Sequence, residues 1–284
     1  MNKLNKLQLM TISALMTLSA VSAEPAKKQD FTHEFMAGLE SYKYHYGESK
    51  PNRPNFMQDN GVMFGINAAY QLSYRDCVFI QPEARAAYGL VDYTNDKHAK
   101  LSAASIPTFL FEPRLLMGGH INLSKNFKLS PFIGIGYRYK SDDTSQIQSY
   151  QNQGGTKRLS QYWYVPLGSR LTYDFNDRWF VKVSAEYDWF ISGRQFSYKK
   201  ERYPSPLVFK QNKGWGAKGE LLIGHRFDRV SVALGPYMSY WKIAKSKDVM
   251  TSTIVADYPR PFIGTACEPR NITKEIGVKL NFYF

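Results

Sequence analysis

Acid–base chemistry in this 284-residue chain would have to start from one of its five histidines. His45 is followed by Glu48, and the predicted hairpins bring Asp92 and Asp96 to the same rim of the fold. A histidine within hydrogen-bond reach of a carboxylate is the arrangement of a general base. This set is the only acid–base constellation that the sequence assembles, so a hydrolase at the rim is one hypothesis. An isolated rim histidine is otherwise an ordinary polar surface residue.

The other reactive residues do not form a recognisable site. Cys77 and Cys267 are predicted at opposite rims of an apolar band about 25 Å tall, whereas a disulfide needs Cα atoms within about 7 Å of each other. No Cys-x-x-Cys motif and no His/Cys metal spacing occurs, and no serine has a convincing histidine partner. The sequence therefore predicts no disulfide, no metal and no cofactor.

One predicted loop, near 195–213, combines cations with interleaved aromatic and aliphatic residues. Its cations are Lys199, Lys200, Arg202, Lys210 and Lys213, against the single acid Glu201. Basic and aromatic side chains together suit sugar lipids that carry phosphate. This loop is therefore a candidate site for a surface anion, with ordinary solvation of a loop as the alternative.

These residues must be positioned by β-strands, because apolar and polar residues alternate with a period of two along the chain. Strands are predicted near 31–46, 61–74, 77–94, 107–122, 127–141, 159–175, 178–194, 214–227, 229–243 and 270–284. The short connectors are Arg75-Asp76, Ser124-Lys125-Asn126, Asn176-Asp177 and Asp228, and the long ones run near 47–60, 95–106, 142–158, 195–213 and 244–269. Short turns at one rim and long loops at the other are typical of bacterial transmembrane barrels. The predicted fold class is all-β: an antiparallel transmembrane barrel of about ten strands with short periplasmic turns and five longer extracellular loops.

The two faces of the strands separate membrane from lumen. On the apolar parity, aromatic residues gather toward the loops at Tyr137, Tyr139, Trp163, Trp189, Trp215 and Tyr240, and toward the turns at Tyr74, Phe175, Trp179, Phe227, Phe282 and Phe284. Two aromatic girdles around an aliphatic band are what the two membrane interfaces select. A soluble sandwich has no reason to double them, so this parity is predicted to face lipid.

The other parity carries charges of both signs and is predicted to line the lumen. Its members are Glu40, Glu83, Arg85, Glu112, Arg114, Arg138, Arg170, Lys182, Glu186, Asp188, Lys218, Glu220, Arg226, Glu275 and Lys279. Glu83 with Arg85 and Glu112 with Arg114 lie two residues apart on one strand and are expected to pair. An ion-pair lattice that fills the narrow lumen is one interpretation; a charged constriction that selects ions or small solutes is the alternative.

The ends of the chain indicate export. Lys3 and Lys6 precede a mostly apolar stretch, and small residues end at Ala23, so residues 1–23 are predicted to be a cleaved signal peptide and 24–284 a single barrel domain. No run of 18 apolar residues follows, so no transmembrane helix is expected. The last strand ends on Phe284, which resembles the signature that hands Gram-negative outer-membrane proteins to the barrel-assembly machinery. That machinery is the expected partner during biogenesis.

The chain as a whole resembles a broad, functionally uncharacterised group of Gram-negative outer-membrane β-barrel proteins of about ten strands. The matching stretches are Tyr42-Lys43-Tyr44, Gly136-Tyr137-Arg138-Tyr139 with Asp142-Asp143, Tyr162-Trp163-Tyr164-Val165-Pro166-Leu167-Gly168, Glu186-Tyr187-Asp188 with Gly193-Arg194-Gln195, and Glu268-Pro269-Arg270-Asn271. The resemblance implies the fold and an outer-membrane location, with no ligand, reaction or catalytic residue. The ten-strand omptin proteases carry a catalytic Asp/His pair at the loop-side rim, but the late loops contain no histidine here.

Net charge sorts the expected partners. The formal charge is +13, and it is +11 once Lys3 and Lys6 leave with the signal peptide. A basic protein can bind nucleic acid, but an exported chain rarely meets any, so outer-membrane lipid and lipopolysaccharide are the expected anionic partners. We therefore expect a structural or surface-interaction protein with basic extracellular loops, whose further partner is an unidentified host or surface molecule. A narrow pore for small solutes or ions and an omptin-like rim hydrolase are the alternatives.

Overall fold

The computed structural model describes residues 30–95, 103–144, 157–198, 206–253 and 262–284, and the predicted signal peptide lies outside them. In chain order the strands are β1 (Phe31–Lys50), β2 (Arg53–Tyr74), β3 (Val78–Asn95), β4 (Ala103–Gly119), β5 (Ile121–Asn122), β6 (Phe127–Asp143), β7 (Lys157–Asp174), β8 (Trp179–Tyr198), β9 (Leu207–Gln211), β10 (Gly214–Arg226), β11 (Ser231–Ile243), β12 (Val249–Thr253), β13 (Phe262–Ala266) and β14 (Arg270–Tyr283). No helix in these ranges is long and apolar enough to cross a membrane.

Ten of these strands close into one antiparallel barrel. The order around the ring is β14, β1, β2, β3, β4, β6, β7, β8, β10 and β11, and β11 pairs back to β14. Closure is completed at the chain end, where the Phe284 amide donates to the Phe35 carbonyl at 2.9 Å and the Phe35 amide donates to Phe284 at 3.1 Å. A closed barrel leaves no sheet edge with unpaired backbone groups, which is a requirement for crossing lipid. The predicted fold class is confirmed.

Tight polar turns join the strands at one rim, which we call the turn side. Arg75 and Asp76 both have positive φ angles, 50° and 51°, as the central residues of a type I′ hairpin turn do. In another turn the Asn176 side chain accepts hydrogen bonds from the Arg178 and Trp179 amides at 2.9 and 2.8 Å. These residues were predicted as turns for this chemistry.

At the opposite rim, the loop side, the strands run further than the sequence predicted. The connector expected near 47–60 is almost entirely strand, because β1 reaches Lys50 and β2 begins at Arg53. The expectation of five long loops was therefore wrong for the first one. The polar residues there still alternate between the two faces of the strand. Backbone pairing with β2 and β14 extends β1 beyond the apolar band. The last connector also contains a hairpin, β12–β13.

The outer face of the barrel is a belt of exposed apolar side chains. Members that are more than half exposed include Leu39, Phe64, Ile66, Ile223, Leu234 and Ile276. Aromatic residues lie at both margins: Trp163 and Trp189 are 47% and 63% exposed toward the loops, and Trp179 and Phe284 are 48% and 61% exposed toward the turns. An exposed apolar surface of this extent is unstable in water and stable in lipid.

Candidate functional site: the charged lumen and the loop-side rim

Glu112 of β4 is the hub of the ion pairs in the middle of the lumen. Its carboxylate accepts hydrogen bonds from Arg138 Nη1 at 2.9 Å, from Lys218 Nζ at 2.6 Å and from the Tyr164 hydroxyl. A side chain at Gly136 would collide with the Tyr164 ring, so this glycine gives the tyrosine its path to the hub. Three strands besides β4 thus converge on one buried carboxylate.

A second carboxylate, Glu275 of β14, ties the same lattice to the opposite wall. Arg138 Nη2 lies 2.6 Å from Glu275 Oε1, and Arg85 Nη2 lies 2.5 Å from Glu275 Oε2. Since β6 and β14 are diametrically opposite in the ring, the Arg138 guanidinium bridges the full width of the lumen. Glu40 joins through Arg85 Nε at 3.7 Å. These side chains are at least 89% buried, where an unpaired charge is costly.

The turn-side half of the lumen is more open. Arg114 binds both Glu83 and Glu186, and Arg170 donates to Gln81 at 2.8 Å. Three further cations here each have one partner. Lys279 pairs with Glu220 at 2.9 Å, Arg226 pairs with Asp174 at 2.5 Å, and the Lys182 ammonium lies 3.7 Å from the Tyr283 ring centroid. Between these side chains lies a cavity of about 160 Å³, below the Glu112 hub.

The sequence missed a second bridging layer, on the loop side. Arg158 of β7 binds Glu48 of β1 at 2.5 Å and Asp142 of β6 at 2.6 Å, and lies 3.5 Å from Asp59. Because β7 and β1 are opposite each other in the ring, this layer also spans the lumen. The sequence does contain a pattern that indicates this layer, because the period-two alternation that includes Tyr42 continues to Glu48. The loop boundary predicted at residue 47 hid it.

Glu268, between β13 and β14, lies above this layer. Its carboxylate accepts from the Tyr46 hydroxyl at 3.2 Å, and its amide donates to Ser246 at 2.9 Å. Burial raises the pKa of Glu268 to about 8, with the nearby Glu48 carboxylate adding to the rise. A neutral carboxyl at this position relieves the excess of acids over bases beneath it.

The ion pairs expected within single strands were wrong in their partners. Glu83 pairs with Arg114 rather than Arg85, and Glu112 pairs with Arg138 and Lys218 rather than Arg114. The Cα atoms of residues two apart on one strand are about 6.6 Å apart, and their side chains are parallel. Side chains that lie side by side on neighbouring strands, or that point at each other from opposite walls, approach more closely.

The structure does not bring together the residues of the rim hydrolase hypothesis. The side chain of His45 is on the outer face of β1, where Nδ1 lies 2.7 Å from Asn60 Oδ1. Glu48 has the opposite parity and is buried in the lumen, bound to Arg158. Asp92 shares the outward row of His45, but Asn60 of β2 lies between them, and the Asp92 carboxylate accepts from the Ser105 amide at 3.1 Å. Asp96 lies outside the described residues.

The basic loop is described only in part. Lys210 on β9 and Lys213 are exposed, and Lys210 lies opposite Arg194 of β8 in the strand register. Lys199, Lys200 and Arg202 lie outside the described residues. Cys77 and Cys267, which the sequence placed at opposite rims, are both free thiols.

Comparison with known proteins places the fold. No protein-family model matches the chain, and no curated protein matches it in sequence. Among solved structures, the outer membrane protease OmpT from Escherichia coli has a TM-score of 0.52 and 10% sequence identity, covering 92% of this chain and 99% of that one. The outer membrane protein OprG from Pseudomonas aeruginosa has a TM-score of 0.36 at 8% identity, covering 88% and 95%. At 10% identity the likeness to OmpT establishes the architecture alone: the chain has the fold of an outer-membrane β-barrel protein.

Proposed function

We propose that the protein is an integral barrel of the Gram-negative outer membrane with a sealed lumen, acting as a structural and surface-interaction protein. In this proposal the turn side faces the periplasm and the loop side faces the exterior. One observation carries it: Arg138 and Arg158 each bridge opposite walls, in two successive layers. A conduit needs a continuous aqueous path, and both layers lie across it.

Planar-bilayer recording of the refolded protein tests the sealed lumen. We expect no discrete conductance from the natural chain, and small reproducible channels from a variant that removes both bridges, Arg138→Ser with Arg158→Ser. The matched control replaces Arg226 and Lys279 with serine, since these cations are near the turn-side rim and bridge no opposite walls. Reproducible conductance from the natural chain would refute the sealed lumen and favour a narrow pore.

The surface contact is assigned to the basic loop. Lys199, Lys200, Arg202, Lys210 and Lys213 would meet phosphate on lipopolysaccharide or on a host molecule, as the composition of this segment suggests. Replacing all five with glutamine should weaken binding of purified lipopolysaccharide and of host cells. The control replaces five cations of the turn side, Arg75, Lys125, Lys128, Arg178 and Arg229, with the same change in net charge. Equal binding by both variants would remove the loop from the proposal.

A further inference from the structure

Four cations form an arc on the outer wall of the barrel, away from the lumen. Lys43 on β1, Lys274 and Arg270 on β14 and Lys242 on β11 have the outward parity and are exposed. We propose that this arc, with His45 and Tyr240, is a binding site for the phosphorylated headgroup of lipid A in the outer leaflet. The inference rests on the proposed outer-membrane placement and does not depend on the sealed lumen or the basic loop.

The strand register places the four cations close together. Residues that face each other across neighbouring strands form rows around the barrel, and Lys43 shares a row with Ile276 and Met238. The next row toward the loops contains His45, Lys274 and Tyr240, and the one after it contains Gly47, Ile272 and Lys242. Arg270 lies one row further, opposite Ser49. Strands are about 4.8 Å apart, and residues of one face repeat every 6.6 Å or so. The Cα atoms of successive cations in the arc are therefore about 8 Å apart. The long side chains can cover this distance, so that several of them contact one diphosphorylated headgroup.

The described parts of β1, β11 and β14, the strands that carry the arc, have no acid on the outer face; an outward acid, Asp92 of β3, lies two strands from β1 in the row of His45 and Asn60. The nearby carboxylates Glu48, Asp59 and Glu275 have the opposite parity and are buried in the lumen. Outward neighbours in the described part of these strands are neutral, as Ser49, Gln58 and Asn60 show. Within the described residues no ion pair involves Lys43, Lys242 or Lys274.

A hollow with a volume of about 280 Å³ lies at the loop-side end of the arc, beside Lys242 and Arg270, and Lys43 and Lys274 do not line it. Gly47 contributes no side chain to it, and His45, Tyr240, Lys242 and Arg270 border it. Arg270 is held by Ser49, whose hydroxyl accepts from Nε at 3.0 Å. The hollow therefore combines donors and positive charge with room for a bound group.

The height of the arc on the outer wall favours an amphipathic ligand. At the level of Lys43, the lowest cation of the arc, the neighbouring outer face is already apolar, and Met238, Ile276 and Val62 in the same row are 56%, 61% and 46% exposed. Acyl chains pack on this surface while phosphates lie at the height of the cations, as at a membrane interface. A free phosphate would make no use of the apolar part.

Binding of hexa-acylated, bisphosphorylated lipid A to the refolded protein in neutral detergent, measured by native mass spectrometry, tests the proposal. Lys43→Gln, Lys242→Gln and Lys274→Gln combined should weaken binding at least about tenfold, because each cation at an anionic lipid surface contributes roughly fivefold. The matched control combines Lys125→Gln, Lys128→Gln and Arg178→Gln on the turn side and should bind as the natural chain does. The single reversal Lys274→Glu gives a second variant, and an unchanged unfolding midpoint shows that each variant is folded.

Experiments with two other ligands identify the source of the phosphate. Lipid A without phosphates should bind at least tenfold more weakly, and inorganic phosphate in millimolar excess should not displace lipid A. The proposal is overturned if the triple variant binds normally, if the control loses as much affinity, if dephosphorylated lipid A binds equally, or if inorganic phosphate competes fully. Conductance and the five-cation loop variant are measured separately, so failure of the proposed function is distinguishable from failure of this site.

Discussion

Replacing Glu112 with glutamine tests whether the lumen lattice stabilises the barrel. Glutamine keeps the shape of the side chain and removes the negative charge that Arg138 and Lys218 share. The residue is 1% exposed, so solvent does little to screen the two cations that are left behind. Breaking a buried pair by removing one partner costs about 3–5 kcal/mol. We therefore expect Glu112→Gln to lower the free energy of unfolding by about 3 kcal/mol.

The matched control is Glu220→Gln. Its partner Lys279 is 2.9 Å away, but both side chains are about one-fifth exposed, and ion pairs open to water contribute about 1 kcal/mol or less. The assay is urea unfolding of the protein in lipid vesicles, followed by the fluorescence of its five tryptophans. A double variant, Glu112→Gln with Lys218→Gln, should cost less than the sum of the two single changes, because they share one interaction.

The result that refutes this reasoning is specific. If Glu112→Gln costs no more than Glu220→Gln, the central carboxylate is not held against desolvated cations, and the lumen contains water at this level. An additive double variant leads to the same conclusion for Lys218. Either outcome also weakens the sealed-lumen proposal, since that proposal depends on a bridging layer that excludes water.

Three further predictions concern the rims and the chain end. The pKa of Glu268 is raised to about 8 from its ordinary 4.5, so the folded state binds this proton more tightly than the unfolded state does. The free energy of unfolding should therefore fall as pH rises from about 4.5 to 8 and level off above. Glu268→Gln should flatten this part of the plot of melting temperature against pH, and an unchanged plot would contradict the assignment. A membrane-impermeant maleimide should label Cys267 in intact cells and Cys77 only after permeabilisation; labelling of Cys77 in intact cells would reverse the proposed orientation. Deleting Phe284 removes both backbone hydrogen bonds to Phe35 and the predicted assembly signal, so less folded barrel should reach the outer membrane, measured by gel mobility without heating, and normal levels would exclude the role.

Local features of the sequence determined the architecture. Period-two alternation assigns each residue to one face of a strand, because successive side chains point to opposite sides wherever the backbone is extended. Lipid-facing Trp189 and lumen-facing Glu112 could therefore be assigned before any pairing was known. Turn residues such as Arg75-Asp76 were likewise identifiable, since their backbone preferences are set within four residues.

Only the tertiary structure decided which charged groups meet. Arg138 and Glu275 are 137 residues apart in sequence, and their contact depends on how many strands close the ring and on the stagger between them. The length of β1 beyond the membrane was also undetermined, because polar residues in a paired strand and in a loop look alike in sequence. The cationic arc arises from the same cause: Lys43, Lys242 and Lys274 lie on three strands that become neighbours only when the last strand of the chain pairs with the first, and parity gives the face of each residue but not its neighbours on the closed surface.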